Sequence, residues 1–443
     1  MSARPVLVVL AALAAPAAAD DERTAAEVAA MPPPGQESGR LDAGDQDSVV
    51  RDVAQGVLVI PRAAVEVAFA PVRAGVWFYD RYRLGDRFKQ IFFDDTETYG
   101  LYPTLHYDTS DGLTFGGRFL HRDMFGAHER LSLRAATGGR YRALYQGTVR
   151  TGERLGQRAT LELRTELERR PHEPFYGIGN SDGTPEVRHR QQHARAAGTL
   201  DVRLLRDLHI GIAGAITDLS YANSDDGPAM DNTYDPMTLT GWSGVRNLYG
   251  ELELRWDSRR AAHRLEDPAV PSTGWLFAGY AGRVHQVEAG RDHWRLGADL
   301  QRFFRLGAGP RVLVLRLYGE AVTGTLDDVA FTELPQLGGN TLLRGYPRDR
   351  FRDRIATLGS IAYRWDLSGA LAASLFVDTG RVYSSRSSIE LEHLRTGYGI
   401  ALQAHRKGSF IAEASLSSSI DGGVFVELAF DPVFASTPRV ERR

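Results

Sequence analysis

From Glu97 to Phe430 the chain alternates apolar and polar residues with a period of two. In ATLELRTEL, Leu161, Leu163 and Leu167 fall on one side of a pleated ribbon, and Glu162, Arg164 and Glu166 fall on the other. SIAYRWDL sets Ile361, Tyr363, Trp365 and Leu367 against Ala362, Arg364 and Asp366, and GGVFVELAF aligns Val424, Val426, Leu428 and Phe430. Turn-like pieces separate such runs, among them Asp108-Thr109-Ser110-Asp111-Gly112 and Thr137-Gly138-Gly139. The pattern predicts strands at 97–107, 112–122, 127–137, 141–151, 157–168, 191–205, 207–219, 240–257, 273–286, 292–306, 311–323, 355–367, 370–382, 395–406, 408–418 and 422–430.

An even set of about sixteen strands, apolar on one face and charged on the other, fits an all-β, transmembrane antiparallel β-barrel with a solvated interior. A soluble β-sandwich alternates in the same way. Charges on the inner face and tryptophans near strand ends (Trp256, Trp275, Trp294, Trp365) favour the membrane reading, because soluble barrels fill their interiors with apolar side chains.

The N-terminus supports the same reading. Arg4, an apolar run from Val6 to Ala15 and then Ala17-Ala18-Ala19 form a secretory signal with expected cleavage after Ala19. Residues 20–55, with Pro32-Pro33-Pro34 and scattered acids, read as a disordered linker. Residues 56–94 form a short apolar segment in which Val76, Tyr79, Leu84 and Phe88 recur at helical intervals. It is either an amphipathic helix at a barrel mouth or membrane surface, or a plain connector. The barrel is expected over 95–430 and a periplasmic tail over 431–443.

Later windows lack eighteen uninterrupted apolar residues, so any membrane crossing falls to strands. The chain has no cysteine, which removes disulfides and thiolate chemistry, and its net charge of −3 argues against a nucleic-acid partner.

One segment breaks the alternation. Pro335 to Asp353, containing LGGNTLLRGYPRDRF, is too long for a turn and lies between two well-patterned strands. Gly338, Gly339 and Gly345 let it fold back sharply, with Arg344 at its tip. A guanidinium brought into a barrel interior needs a carboxylate. In SLFVDTGRV, Leu375 and Val377 face lipid while Ser374, Phe376, Asp378 and Gly380 face the lumen, which makes Asp378 the candidate. Spacing alone leaves open an ordinary loop arginine and an ordinary lumen aspartate.

GGNTLLRGYPRDRFRD, then YRW, then FVDTG, closely resembles the C-terminal region of the BamA/TamA-type outer-membrane assembly and translocation superfamily, also called the bacterial surface antigen family. Its V/I/L-R-G-F/Y loop signature is met by Leu343-Arg344-Gly345-Tyr346, and its F-x-D-x-G strand signature by Phe376, Asp378 and Gly380. A weaker resemblance covers the whole barrel, including YGLYPTLHYD and Pro174-Phe175-Tyr176-Gly177-Ile178-Gly179-Asn180.

The resemblance implies a loop folded into the lumen and an Arg344–Asp378 lock shaped by Gly345, Tyr346, Phe376 and Gly380. It also implies a bacterial outer-membrane location, the barrel-assembly machinery as partner for insertion, and a non-enzymatic role moving or inserting a protein or lipid client. Members usually carry POTRA modules of roughly eighty residues ahead of the barrel. The segment preceding this barrel holds no complete one, so the chain is read as a POTRA-less relative. The alternative function is a passive outer-membrane pore for small solutes.

Pro103 in the first strand suits an edge, and Gly422 and Gly423 open the expected last strand, so the seam between these strands either pairs incompletely or zips fully. The apolar face ending at Phe430 resembles the C-terminal insertion signal of such barrels. Other motifs carry less. Gly179-Asn180-Ser181-Asp182-Gly183 satisfies G-x-S-x-G but lacks the strand–turn–helix context of a nucleophile. His189 and His193 share a face, with no third metal ligand evident nearby. Asp94-Asp95-Thr96-Glu97 lacks the spaced oxygens and glycine of a calcium loop. No cofactor or metal site is expected.

Overall fold

The computed structural model describes residues 81, 90–108, 112–139, 142–181, 185–225, 227–261, 271–307, 311–368, 371–406 and 409–429. The signal peptide, the linker, most of the 56–94 segment, Phe430 and the 431–443 tail lie outside the described residues.

The first seven strands are β1 (Tyr99–Asp108), β2 (Gly112–His121), β3 (Arg130–Gly138), β4 (Arg142–Arg150), β5 (Ala159–Phe175), β6 (Val187–Arg203) and β7 (Leu208–Asn223). Four more follow before the long loop: β8 (Val245–Asp257), β9 (Gly274–Gln286), β10 (Arg291–Arg305) and β11 (Arg311–Val322). Within that loop, β12 (Gln336–Leu337) and β13 (Phe351–Arg352) make a two-stranded ribbon of their own. The wall resumes with β14 (Ile355–Ser368), β15 (Leu371–Tyr383), β16 (Arg395–Arg406), β17 (Ser409–Ser419) and β18 (Val424–Ala429). All but β12 and β13 join a closed antiparallel barrel, each strand beside its neighbour in sequence, with β11 bonded to β14 across the loop.

The burial pattern is that of a wall with oil outside. On β8, Leu248, Leu252, Leu254 and Trp256 are exposed, while Asn247, Glu251, Glu253 and Arg255 between them are buried within. Leu163 and Leu167 on β5 likewise face out, and Glu162, Glu166 and Glu168 face in. Backbone groups in hydrocarbon have no water to bond, so a ring without edges satisfies every strand. Trp256, Trp275 and Trp294 lie exposed near strand ends, and Arg302 lies over both the Trp275 and Phe304 rings at 4.8 and 4.7 Å, its charge carried along the aromatic belt.

Some boundaries differ from expectation. β5 runs on to Phe175, seven residues past its expected end, through Pro171 and Pro174. Its pairs with β4 end at Ala143↔Arg169, so both prolines lie where only β6 is bonded, and the register shifts between Arg170 and Glu173. A one-sided strand with a bulge tolerates missing donors.

Gly422 and Gly423 do not open the last strand: with φ of 93° and 88° they form the turn before it, and β18 begins at Val424. Left-handed backbone cannot continue a pleat. β1 meets β18 at Tyr107↔Leu428 and Asp108↔Glu427, closing the ring. Pro103 pairs with Gly117 on β2, and none of its described neighbours lies in β18.

Connections at one end are short, such as 204–207 and 369–370, and at the other include 224–244 and 323–354. Outer-membrane barrels keep short turns in the periplasm and long loops outside the cell. An arginine on the lipid face should be costly. Leu252→Arg is expected to destabilise the barrel by about 2–4 kcal/mol, read as an earlier urea midpoint for loss of the compact band on unheated gels.

Candidate functional site

The loop from Thr323 to Arg354 folds inward between β11 and β14, and from Val329 on all of it but Thr341 is buried or half-buried. Its hairpin is closed by Leu337↔Phe351, and Gly338 and Gly339, with φ of 121° and 88°, donate to the carbonyls of Leu342 and Tyr346. Leu337, Leu343, Tyr346 and Phe351 pack with Ala356, Leu358 and Val382 of the wall, so the fold of the loop rests on apolar contacts. Two residues without the freedom of glycine, Leu343 and Asp349, also take positive φ, at 63° and 56°. Such backbone is held only where its surroundings over-determine it.

At the tip, Arg344 meets Asp378. Nε and Nη2 donate to the two carboxylate oxygens at 2.7 and 2.8 Å, and the Arg344 amide adds a third bond at 3.0 Å. Ser360, opposite Asp378 on β14, donates its hydroxyl at 2.5 Å, and the guanidinium lies over the Phe376 ring, 3.5 Å from its centre. Arg344 is 4% exposed and Asp378 1%, so the pair is withdrawn from water on both sides. A buried pair of this kind persists only when its remaining hydrogen-bonding capacity is met, and Ser360 and the backbone amide meet it.

Glycines decide how close the loop comes. A Cβ on Gly397 of β16 would collide with the Arg344 carbonyl oxygen, and one on Gly345 with the Ser418 carbonyl of β17. Gly380 leaves room for the incoming loop: a Cβ there would meet the Thr357 backbone and the side chain of Leu337 in the loop. Tyr346 donates to Asp421 at 2.7 Å, beside the turn into β18, and Arg395 holds the same carboxylate at 3.0 Å. Burial and the Asp421 carboxylate push the Tyr346 phenol up to about 12, so it remains a donor at physiological pH.

Other walls also grip the loop. On β10 and β11, Arg316 is paired with Asp299 at 2.7 Å and donates to the Thr341 carbonyl at 3.1 Å. Arg295, paired with Glu320, donates to the Glu333 carbonyl at 2.7 Å. Arg348 reaches Glu173 on β5 at 2.7 Å, a strand on the far side of the ring from β15. A second loop crosses the same mouth: Asn180 exchanges two hydrogen bonds with the Val382 backbone, at 2.7 and 3.2 Å. There β15 extends past its last pair with β16, Gly380↔Arg395, and the side-chain amide takes the place of a strand partner.

The discounted motifs have other surroundings. Ser181 follows Asn180 in this crossing loop, its carbonyl accepting from Arg350 at 3.0 Å, and the chain enters a strand, not a helix, at Val187. Asp94 caps a turn through the amides of Thr96 and Tyr99. The histidines require a correction. His189 is buried among Tyr221, Trp242 and Phe331, whereas His193 has two carboxylates nearby, Glu166 and Glu168, with ligand atoms within 4.8 Å. Those carboxylates are engaged by Arg164, Arg142 and Arg170, whose charge opposes a cation.

A closed barrel with lipid-facing alternation and an arginine-tipped loop docked on an inner-wall aspartate defines an outer-membrane β-barrel that carries a loop within its lumen. The Omp85 superfamily domain matches residues 123–405, and the chain belongs to that superfamily of bacterial outer-membrane β-barrels. Among solved structures it is similar to BamA from Haemophilus ducreyi lacking POTRA domains 1-3, with a TM-score of 0.55 and 12% identity over 75% of this chain and 70% of that one.

CdiB from Acinetobacter baumannii (TM-score 0.48, 11% identity, 75% of this chain and 59% of that chain) and CdiB from Escherichia coli (0.49, 11%, 74% and 62%) are also similar. The chain spans about six tenths of the CdiB chains. No curated protein matches it.

Removing one partner of a buried pair leaves the other charge stranded. Asp378→Ala is therefore expected to cost about 3–5 kcal/mol and to open the loop to trypsin at Arg348 and Arg350. Gly397→Val should expose the same bonds with every charge intact, and mass spectrometry of the fragments checks both.

Proposed function

We propose that this Omp85 barrel translocates or inserts a protein or lipid client, with the Arg344 loop as the gate of its lumen. The observation that carries the reading is the buried Arg344–Asp378 pair, which sets a charged loop tip against the inner wall. A loop placed for sealing alone needs only packing; this one is held by ionic and hydrogen-bonded contacts that can be exchanged for others. The tyrosine next to the gate arginine binds Asp421 in the β17–β18 turn, so release of the loop also loosens the hairpin that carries the closing strand. The gate thus acts on the lumen and on the seam together.

Planar-bilayer recording of the purified protein tests the gate: Arg344→Ala and Tyr346→Phe should give larger and more frequent openings than the wild type. Cysteines at the registered pair Tyr107 and Leu428 test the seam. Oxidation of that pair should abolish function in the native host while leaving conductance intact. Retained function with the seam locked would identify a passive pore, and unchanged currents in Arg344→Ala would remove the loop as gate.

A further inference from the structure

The outward face of β9, β10, β11 and β14 carries two arginines near its periplasmic edge. Arg302 stands between Trp275 of β9 and Leu315 of β11, and Phe304 opposite Leu313 forms the next outward row towards the turn. Arg311 closes the row after that, beside Leu306 at the turn and Trp365 of β14. Consecutive outward rows are about 7 Å apart. The Arg302 guanidinium leaves its own row: it lies over the Phe304 ring at 4.7 Å as well as over Trp275 at 4.8 Å, which carries its charge towards Arg311.

Both side chains belong to the lipid face. Arg302 is half-buried among the rings and Arg311 is exposed, whereas their chain neighbours Gln301, Phe303 and Val312 are buried on the inner side. Ile361, in the row of Arg302, and Leu317, one row deeper, are 55% and 62% exposed, so Arg302 is bordered by residues that meet hydrocarbon.

The wall supplies these two charges with no acid. Inward on the same two strands, Arg295 is paired with Glu320, and Arg316 with Asp299 at 2.7 Å. Outward at the opposite rim, Arg246 is paired with Asp218 at 2.6 Å and Arg283 with Asp292 at 2.8 Å. Arg302 and Arg311 have no ion pair among the described residues, and Arg302 Nε is covered without an acceptor. The outward residues about them include Trp275, Phe304, Tyr363 and Trp365, the last two stacked with ring centres 5.5 Å apart, and the turns at 306–310 and 369–370 contain no acid. A cation on the lipid face without a protein acid takes its counter-charge from the membrane.

We propose that Arg302 and Arg311 bind the phosphate of an anionic phospholipid in the periplasmic leaflet. Trp275, Phe304, Tyr363 and Trp365 stand at the level of its glycerol and upper acyl segments, where aromatic side chains of barrels meet the membrane interface. A soluble periplasmic partner could use Arg311 but would have to enter hydrocarbon to reach Arg302, so the pair together suits a lipid.

Native mass spectrometry of the full-length protein in detergent, titrated with palmitoyl-oleoyl phosphatidylglycerol or phosphatidylcholine, tests this. The tightest phosphatidylglycerol adduct should outlast its phosphatidylcholine counterpart. It should weaken about five-fold per arginine removed in R302Q, R311Q and R302Q/R311Q, and remain unchanged in R246Q/R283Q. Heat-modifiable mobility on gels confirms that each variant is folded, and R311Q, at an exposed position, stands in if R302Q is not. Equal retention of the two lipids, or an adduct untouched by the folded variants at Arg302 and Arg311, overturns the proposal. Displacement by inorganic phosphate overturns it too, marking a site for a soluble anion.

Discussion

A guanidinium taken out of water must be given a carboxylate, and much of the interior of this barrel follows from that requirement. Arg344 on the loop receives Asp378, and Arg316 and Arg295 on the wall receive Asp299 and Glu320 before lending their remaining donors to loop carbonyls. Each pair is buried, where a lone charge costs several kcal/mol and a satisfied pair costs little. The loop can therefore lie in the lumen only because three separate strands, β10, β11 and β15, present acids at the right height.

The barrel was legible because its two faces meet different media. Hydrocarbon outside and water within impose strict alternation, and alternation survives in sequence without any knowledge of partners. Sixteen predicted segments correspond to the sixteen strands of the ring. Errors fell where local chemistry overrode the pleat. The fifth strand was expected to stop at residue 168, but it runs on through two prolines where it is bonded on one side only; the two glycines expected to open β18 instead turn the chain before it.

The docking residues were legible only in part. Arg344 and Asp378 stood out because a charge in a glycine-flanked loop and a charge on an inward face each ask for an explanation. Ser360 was within reach of the same logic, being inward on the neighbouring strand. Asn180 and Asp421 were not: their partners, Val382 and Tyr346, are far away in the chain, and neither residue breaks any local pattern. Gly397 is hidden for another reason. In a strand rich in small residues nothing marks the one position where a second backbone must pass, and only the assembled geometry reveals it.

The contact at Gly397 has a bearing on the order of assembly. The loop leaves the wall after β11, yet its tip rests on β15, β16 and β17, which are all made later. Its seat does not exist until those ribbons have zipped together, so a chain that has its tip in place has already built nearly the whole circumference. The docked arginine is in this sense a mark of completion, acquired at the end of folding and available to be given up in use.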